Sequence, residues 1–208
     1  MTYPDSKHLD PLQMGKLYQE IIRVVLSRRL RLELHFYDSQ AEQYDLGESQ
    51  EGMEIKLDAW CSKTGHLSIE VGEKTQAAQA HFTPSGIMRQ DNSSWYIQGD
   101  LKRCWAFKKA ALQEFFKQAR PPVIEDNPPT IRKFYLPIRE ANRLAGDYFE
   151  LIPFVCEYGG LGEPHWESCT PCLLFRDGHC QSAGAKIRPT FLALRQQLER
   201  MQAQAQRR

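Results

Sequence analysis

The even-numbered positions of the stretch from residue 53 to residue 74 carry three carboxylates and two lysines. They are Glu54, Lys56, Asp58, Glu70 and Lys74. Carboxylate oxygens are the ligands that hard divalent cations such as Mg²⁺ prefer, and a bound cation of this kind stabilises negative charge that develops in a reaction. The residue types therefore indicate a candidate cation site, provided that the fold brings these side chains together.

Apolar alternation in the same stretch predicts two strands joined by a tight turn. The apolar side chains carry odd numbers on both sides of the turn: Met53, Ile55, Leu57, Ala59 and Cys61, then Leu67, Ile69 and Val71. Period-two alternation is typical of half-buried strands with one apolar face. Gly65 suits the positive φ that a three-residue loop requires. The pattern predicts a β-hairpin of residues 53–61 and 67–74.

The register of this hairpin follows from burying both odd-numbered sets on one side. One allowed register places Asp58 opposite Glu70 and Lys56 opposite Gly72, and the other slides the pairing by two residues and keeps the same face. Like charges directly opposite each other are destabilising, so a bare Asp58–Glu70 pair requires a counter-ion. A divalent cation is the obvious candidate. An ordinary solvated hairpin face is the alternative interpretation.

Four short segments carry a resemblance to a known family. They are Gly52-Met53-Glu54-Ile55, Ser68-Ile69-Glu70-Val71-Gly72, Pro84-Ser85-Gly86-Ile87 and Ser94-Trp95-Tyr96-Ile97. Over roughly residues 12–120 the chain resembles the PD-(D/E)xK, or restriction-endonuclease-like, nuclease superfamily. Its pattern is an acidic residue on one strand, a short hairpin and then Glu/Asp-x-Lys, after a helix that often lends a Glu. The chain departs from that pattern at Glu70-x-Gly72, which has no lysine.

The resemblance implies a metal-dependent nuclease with DNA as the favoured substrate. Glu54, Asp58 and Glu70 would hold Mg²⁺ beside the scissile phosphate. Lys56 or Lys74 would take the place of the missing lysine and orient or activate the attacking water. The missing lysine also leaves a second class open, a catalytically inactive protein of the same fold that binds nucleic acid or serves in an assembly.

Composition describes a globular chain without a membrane segment. The 208 residues are 41% hydrophobic and 25% charged, which allows one core of ordinary size and a small appendix. The net charge of +1 gives no overall nucleic-acid signal, so a binding surface must be a local patch. No apolar run approaches a membrane span, and no signal peptide is evident. We expect a cytoplasmic protein whose six cysteines are thiols or metal ligands.

Four cysteines cluster in the Gly- and Pro-rich C-terminal region. They are Cys156, Cys169, Cys172 and Cys180, spaced C-x12-C-x2-C-x7-C, with His165 and His179 as possible substitutes. A C-x2-C pair places two thiolates on one metal, and two further ligands complete a tetrahedron. The spacing therefore predicts a metal site, against the alternative of four separately buried thiols.

The identity of this metal is zinc or a [4Fe–4S] cluster, because four thiolates hold either. Some nucleases of the superfamily that the chain resembles carry such a cluster, with three clustered cysteines after the nuclease core and a fourth before it. Here all four follow the core unless Cys61 or Cys104 joins them, which favours structural zinc.

The remaining periodicity predicts the element order. Helices are expected at residues 11–30, 108–119, 139–149 and 187–208, strands at 32–37, 94–98, 103–107 and 131–137, and a polar loop at 38–51. Asp10 and Pro11 form the start of the first helix, and Glu20 within it would be the helix carboxylate that the resemblance implies. We expect an α/β fold with a mixed central sheet flanked by helices, comprising residues 1–150, followed by a cysteine-rich metal module in 151–208.

Overall fold

A computed structural model describes residues 10–150, 175–176, 179–180 and 203 of the chain. The chain divides into two compact units, one formed by Met1–Glu33, Leu101–Arg103 and Glu150–Arg208 and the other by Leu34–Asp100 and Cys104–Phe149. Among the described residues no helix is long and apolar enough to cross a membrane. The predicted helix at 187–208 and most of the cysteine-rich module lie outside the described residues.

The first element, α1 (Pro11–Leu30), has the predicted bounds. Its N-cap is Asp10, whose carboxylate accepts a hydrogen bond from the Gln13 N–H at 2.8 Å, while the Gln13 side chain accepts one from the Asp10 N–H at 3.1 Å. This reciprocal pair satisfies two N–H groups that the first helical turn leaves free. Its buried side chains recur at helical spacing: Met14, Tyr18, Ile21, Ile22, Val25 and Leu26. The predicted amphipathic helix is confirmed.

The elements that follow α1 alternate irregularly between helix and strand. In chain order they are α2 (Gln40–Leu46), β1 (Met53–Leu57), α3 (Cys61–Thr64), β2 (His66–Glu73), β3 (Thr83–Pro84), a 3₁₀ turn (Gly86–Met88), β4 (Trp95–Gly99), β5 (Arg103–Lys108), α4 (Lys109–Ala119), β6 (Ile124–Glu125), β7 (Ile131–Pro137), α5 (Ile138–Leu144) and β8 (Asp147–Glu150). Two short strands, β9 (Phe175–Arg176) and β10 (His179–Cys180), pair antiparallel.

The first large sheet has the strand order β1-β4-β5-β8. β1 runs parallel to β4, with Glu54 opposite Tyr96, and β4 and β5 form an antiparallel hairpin with Tyr96 opposite Phe107. Because parallel neighbours need a crossover connection, the chain between β1 and β4 must leave this sheet. It does so by building much of the second sheet.

The second large sheet has the strand order β3-β2-β7-β6 and is antiparallel throughout. The β2–β7 pairing is continuous from His66 to Glu70 and then shifts between Glu70 and Gly72, so that Val71 is the extra residue of a β-bulge. A bulge bends its strand and redirects neighbouring side chains, and bulges are frequent beside active sites.

The main apolar cluster draws on both large sheets. Tyr96, Trp105 and Phe107 come from the first sheet, Leu67, Ile69, Phe134 and Leu136 from the second, and Leu112 from α4. Phe115 and Phe116 of α4 add rings that lie 6.2 and 5.2 Å from the ring of Phe134. Helix α4 and β7 were both predicted, and their apolar faces meet here.

The predicted hairpin of residues 53–61 and 67–74 is wrong. Both strands form, but β1 pairs only with β4 and β2 pairs with β3 and β7, so the two belong to different sheets. The chain between them forms the short helix α3, and Gly65, with φ 76°, is the left-handed C-cap of that helix. Gly65 therefore has the predicted positive φ, but it ends a helix and does not close a hairpin loop.

The other predicted elements have mixed outcomes. The expected strand at 32–37 is reduced to one bridge between Phe36 and Ser49, and the expected loop at 38–51 contains α2. Helix α5 ends at Leu144, and β8 follows where a longer helix was expected. The β4–β5 hairpin is confirmed. The mixed α/β class with flanking helices is confirmed, and two sheets replace the single central sheet that was expected.

Candidate active site

Glu54 and Lys56 project from the same face of β1, because they are two residues apart on a strand. The Glu54 side chain is only 3% exposed, and the Lys56 ammonium lies 3.1 Å from its Oε1 atom. Neither Glu54 oxygen accepts a hydrogen bond of ordinary geometry within the described residues, so its contact with Lys56 is principally an ion pair. A carboxylate buried in this way depends on nearby positive charge.

Glu70 reaches the same cluster from β2. Its Oε1 atom accepts a hydrogen bond of 2.5 Å from the hydroxyl of Ser85, which lies immediately before the 3₁₀ turn. The residue after Glu70 is the bulge residue Val71, which lets the strand bend at this point. Glu54 and Glu70 thus come from different sheets and act on a common group, Lys56.

Lys56 is the cation on which the carboxylates converge. Burial alone would lower the pKa of its ammonium, but the negative charges of Glu54, Glu48 and Glu70 outweigh burial and raise the pKa well above its ordinary value. Although the Lys56 side chain as a whole keeps 34% exposure, its ammonium lies among the carboxylates. Lys56 therefore stays positively charged throughout the neutral range.

Glu48 is a member of the cluster that the sequence did not indicate. Its Oε2 atom accepts a short hydrogen bond from the backbone N–H of Ile55 on the edge strand β1, and its charge acts on both Lys56 and Tyr96. Glu48 lies in the segment that was expected to be a featureless polar loop. No periodicity in that segment marks one carboxylate among its neighbours.

A second buried cation, Lys109, lies on the other side of Glu54. Its ammonium is 2.8 Å from Oδ1 of Asp91 and 3.8 Å from Oε2 of Glu54, and its side chain is 5% exposed. Asp91 also accepts a hydrogen bond from the Ser93 N–H at 2.9 Å. One signal could have identified Lys109: it is the first residue of α4, where the helix dipole disfavours a cation, so the lysine needs another reason to be there.

Tyr96 lies opposite Glu54 on the neighbouring strand β4. Burial raises the pKa of its phenol, and the nearby charges of Glu54, Glu70 and Glu48 raise it further, against a smaller opposing contribution from the backbone of Glu70. The side chain is fully buried. Tyr96 consequently remains a neutral phenol and keeps its O–H as a possible hydrogen-bond donor.

Arg89 contributes a third positive charge from the end of the 3₁₀ turn. Its guanidinium lies 2.8 Å from Oε1 of Glu73. Burial would lower the pKa of Arg89, but Glu73, Glu54 and Asp91 together raise it. The cluster thus pairs buried and half-buried carboxylates with three permanent cations.

Asp58 does not lie beside Glu70, where the predicted hairpin placed it. Its Oδ2 atom accepts hydrogen bonds from the Ser68 N–H at 2.7 Å and from the Gln98 amide at 3.4 Å, and its Oδ1 atom accepts one from the Trp60 N–H at 3.2 Å. The expected Asp58–Glu70 opposition is wrong because β1 and β2 are not paired. Asp58 instead fixes the turn after β1 to the start of β2.

Lys74 and Glu20 have partners elsewhere. The Lys74 ammonium donates to the carbonyl oxygens of Ala77 and Gln79 at 3.1 and 3.0 Å and lies 4.3 Å from the ring centroid of Phe82. Glu20 accepts hydrogen bonds from Arg23 on its own helix, the shorter at 2.7 Å. Of the two candidate lysines, the structure brings Lys56 to the carboxylates, and the role of Glu20 stays a prediction.

A divalent cation at this cluster would be bound by few protein ligands. No group of three or more His, Cys, Asp or Glu side chains is arranged to hold a metal ion within the described part of the chain. Mg²⁺, however, is commonly held by one or two carboxylates together with water and substrate phosphate. The carboxylates that could serve as such ligands are Glu54, whose oxygens face the Lys56 and Lys109 ammonium groups, and Glu70, with one oxygen held by Ser85.

The four-cysteine site cannot be placed in the same way. Cys156, Cys169 and Cys172 lie outside the described residues, and Cys180 is described only as a backbone position of β10. Cys61 and Cys104 are completely buried. The predicted metal at these cysteines stays a prediction.

Comparisons with protein-family models, with curated proteins and with solved structures find no match to this chain. The functional assignment therefore rests on the geometry of the cluster and on the residue pattern of the sequence.

Proposed function

We propose that the chain is a metal-dependent nuclease with a restriction-endonuclease-like catalytic arrangement, acting on phosphodiester bonds of nucleic acid, with DNA favoured. The observation that carries the proposal is the convergence of Glu54, Lys56 and Glu70 on one cluster although they come from two sheets. Two acids and an ammonium are the residue types that the superfamily pattern requires. The lysine absent at Gly72 is supplied by Lys56 of β1.

Each side chain has a distinct role in this proposal. Glu54 and Glu70 would hold Mg²⁺ or Mn²⁺, which when bound supplies positive charge to stabilise the phosphate as it reacts. Lys56 stays an ammonium because its pKa is raised, so it can orient a water or a phosphate oxygen but cannot accept a proton. Lys109 and Arg89 supply further positive charge that balances the remaining carboxylates of the cluster.

A cleavage assay tests the proposal. Labelled single- and double-stranded DNA and RNA are incubated with the protein in Mg²⁺, in Mn²⁺ and in a chelator. We expect cleavage that requires the metal and that falls about 100-fold or more in Glu54→Gln and Glu70→Gln, since each variant removes a charged ligand. Glu125→Gln is the matched control, because Glu125 is an exposed residue paired with Arg132 on β7. Cleavage that persists in the chelator contradicts the proposal.

A second candidate function is favoured by one observation. The two oxygens of Glu54 already have ammonium groups at 3.1 and 3.8 Å, so the cluster is neutralised by the chain's own lysines. Such a cluster suits a nucleic-acid-binding or assembly protein of the same fold without catalysis. This candidate predicts that the wild-type protein binds labelled DNA but does not cleave it in Mg²⁺ or Mn²⁺, and that Glu70→Gln leaves the binding unchanged.

A further inference from the structure

The hydrogen bond from Ser85 to Glu70 links the candidate active site to the segment Pro84-Ser85-Gly86-Ile87. The bond is 2.5 Å long, and Ser85 is completely buried. We propose that Ser85 is a positioning residue that orients the Glu70 carboxylate toward its ligand, an inference that rests on the proposed nuclease function. A hydroxyl that donates to a carboxylate forms a charge-assisted bond, which is stronger than a neutral one.

The segment that carries Ser85 is anchored at both of its ends. Before it, β3 pairs with Gly72 and Glu73 of β2. After it, Ile87 is completely buried in the main apolar cluster, and its carbonyl oxygen accepts a hydrogen bond of 2.7 Å from the Gln113 side chain of α4. Ser85 is therefore held at a fixed place by the sheet on one side and by the core and a helix on the other.

Gly86 allows this segment to pack directly on Glu70. Its φ is +52°, and a Cβ atom at this position would lie 2.5 Å from the carbonyl oxygen and 2.8 Å from the Cβ of Glu70. Both the backbone conformation and the close approach require glycine. The sequence Ser-Gly thus combines a hydroxyl aimed at the carboxylate with a backbone that can come close enough to deliver it.

The bond also restricts the orientation of the Glu70 carboxylate. Ser85 holds Oε1 and so limits the rotation of the carboxylate. Partners that hold a metal ligand in place typically change metal affinity or activity about 10- to 100-fold when they are removed. Ser85 has no charge of its own, so its effect acts through Glu70.

Metal affinity measured by calorimetry with Mn²⁺ tests this role without reference to cleavage. We expect Ser85→Ala to weaken Mn²⁺ binding about 10- to 100-fold and Ser85→Thr, which keeps the hydroxyl, to recover most of the loss. Ser62→Ala is the matched control, since the Ser62 hydroxyl is buried without a hydrogen-bond partner among the described residues. Wild-type affinity in Ser85→Ala, or equal losses in the alanine and threonine variants, would overturn the role of Ser85.

The proposed function can fail separately from this inference. If the wild-type protein binds no Mn²⁺, the metal-dependent function fails, and the role of Ser85 in a metal site fails with it. If the wild-type protein binds Mn²⁺ and Ser85→Ala binds it equally well, only the role of Ser85 is overturned. Proton NMR of the wild-type protein adds a readout that needs no serine variant. A slowly exchanging, downfield Ser85 hydroxyl proton that shifts in Glu70→Gln supports the bond, and its absence contradicts it.

Discussion

Glu54 is a buried carboxylate of the candidate site that has two lysine counter-charges. Its carboxylate is almost completely buried, and its charge is balanced by Lys56 and Lys109 without ordinary hydrogen bonds. A buried ion pair adds little net stability when intact, but removal of one partner leaves an uncompensated charge. Lys56 and Lys109 therefore stabilise the folded protein, in addition to any role in the proposed chemistry.

Replacement of Lys56 should reduce stability because it removes one of the two counter-charges of Glu54. We expect Lys56→Met to lower the free energy of unfolding by about 1–3 kcal/mol, less than for a wholly unpaired charge because Lys109 remains. Glu54→Gln in the same background should recover most of the loss. Urea unfolding at pH 7 measures both changes, and equal losses in the single and double variants would contradict the ion-pair interpretation.

The pH dependence of this pair follows from the raised pKa of Lys56. A group whose pKa is raised on folding contributes stability that is present below its unfolded value, 10.5, and is lost as the pH rises through the folded value. The stability difference between wild type and Lys56→Met should therefore be constant from pH 6 to pH 9. A difference that disappears by pH 9 would show that Lys56 is not held as an ammonium.

Asp58 should behave as a structural residue. Asp58→Ala leaves the backbone N–H groups of Ser68 and Trp60 without their acceptor, so we expect a loss of about 1–3 kcal/mol in the free energy of unfolding. This reverses the expectation from the hairpin, in which Asp58 was a metal ligand. A folded, fully stable Asp58→Ala protein that has lost metal binding would restore the original assignment.

Asp58 also has a pH signature of its own. Burial raises the pKa of its carboxyl above the ordinary 3.8, against the hydrogen bonds from the Ser68 and Trp60 N–H groups. The folded state then binds the proton more tightly than the unfolded state, and stability falls as the pH rises from about 4 through the folded pKa. The stability advantage of wild type over Asp58→Asn should therefore shrink between pH 4 and pH 7, as thermal unfolding can measure.

At the scale of elements, the sequence predicted strands better than it predicted faces or partners. Alternation identified β1 and β2 as strands, and β2 buries Leu67 and Ile69 as expected, but on β1 the neighbours Glu54 and Ile55 are both buried. It cannot tell which strand lies beside which, and the parallel partner of β1 is some forty residues away, at Trp95 to Gly99. Helix α2 was missed although Ser39 and Glu42 form a capping box, since the polar composition around them suggested a loop.

Gly52 immediately precedes β1 and adopts a backbone conformation that favours glycine. Its φ is +69°, a Cβ atom there would lie 2.6 Å from the Asn92 carbonyl oxygen, and its own carbonyl oxygen accepts hydrogen bonds from the Ser94 and Trp95 N–H groups. We expect Gly52→Ala to destabilise the fold by about 1–3 kcal/mol through strain and displacement of β1. Gly15→Ala is the control: Gly15 lies inside α1 with open space around it, and the change should stabilise by about 0.5–1 kcal/mol.

At the scale of the whole molecule, the metal content of the cysteine-rich region can be tested separately from the candidate active site. We predict that Cys156, Cys169, Cys172 and Cys180 bind one structural zinc ion in a closed four-thiolate site. Elemental analysis should find one equivalent of zinc in a colourless protein, and chelation should expose residues 156–182 to protease while the first 120 residues resist it. A brown protein that contains iron and inorganic sulfide would contradict the zinc assignment in favour of an iron–sulfur cluster.

The net charge of +1 also limits how the whole molecule can bind nucleic acid. Long-range attraction to a phosphate backbone is weak for a nearly neutral chain, so binding must rely on the local charges around the site. The sequence identified Glu54, Lys56 and Glu70 as candidates, but it did not indicate Glu48 or Lys109. The convergence of these side chains could not be predicted, because it depends on the crossover between the two sheets.

The central claim is that Lys56, and not Lys74, supplies the ammonium that Gly72 lacks. The most direct measurement compares metal-dependent cleavage of labelled DNA by Lys56→Met and Lys74→Met, which remove the same charge at the two candidate positions. We expect Lys56→Met to lose about 100-fold or more in cleavage, comparable to the loss of a preorganised donor from an active site, and Lys74→Met to stay close to wild type. A large loss in Lys74→Met with normal cleavage by Lys56→Met, or no cleavage by the wild-type protein, would contradict the central claim.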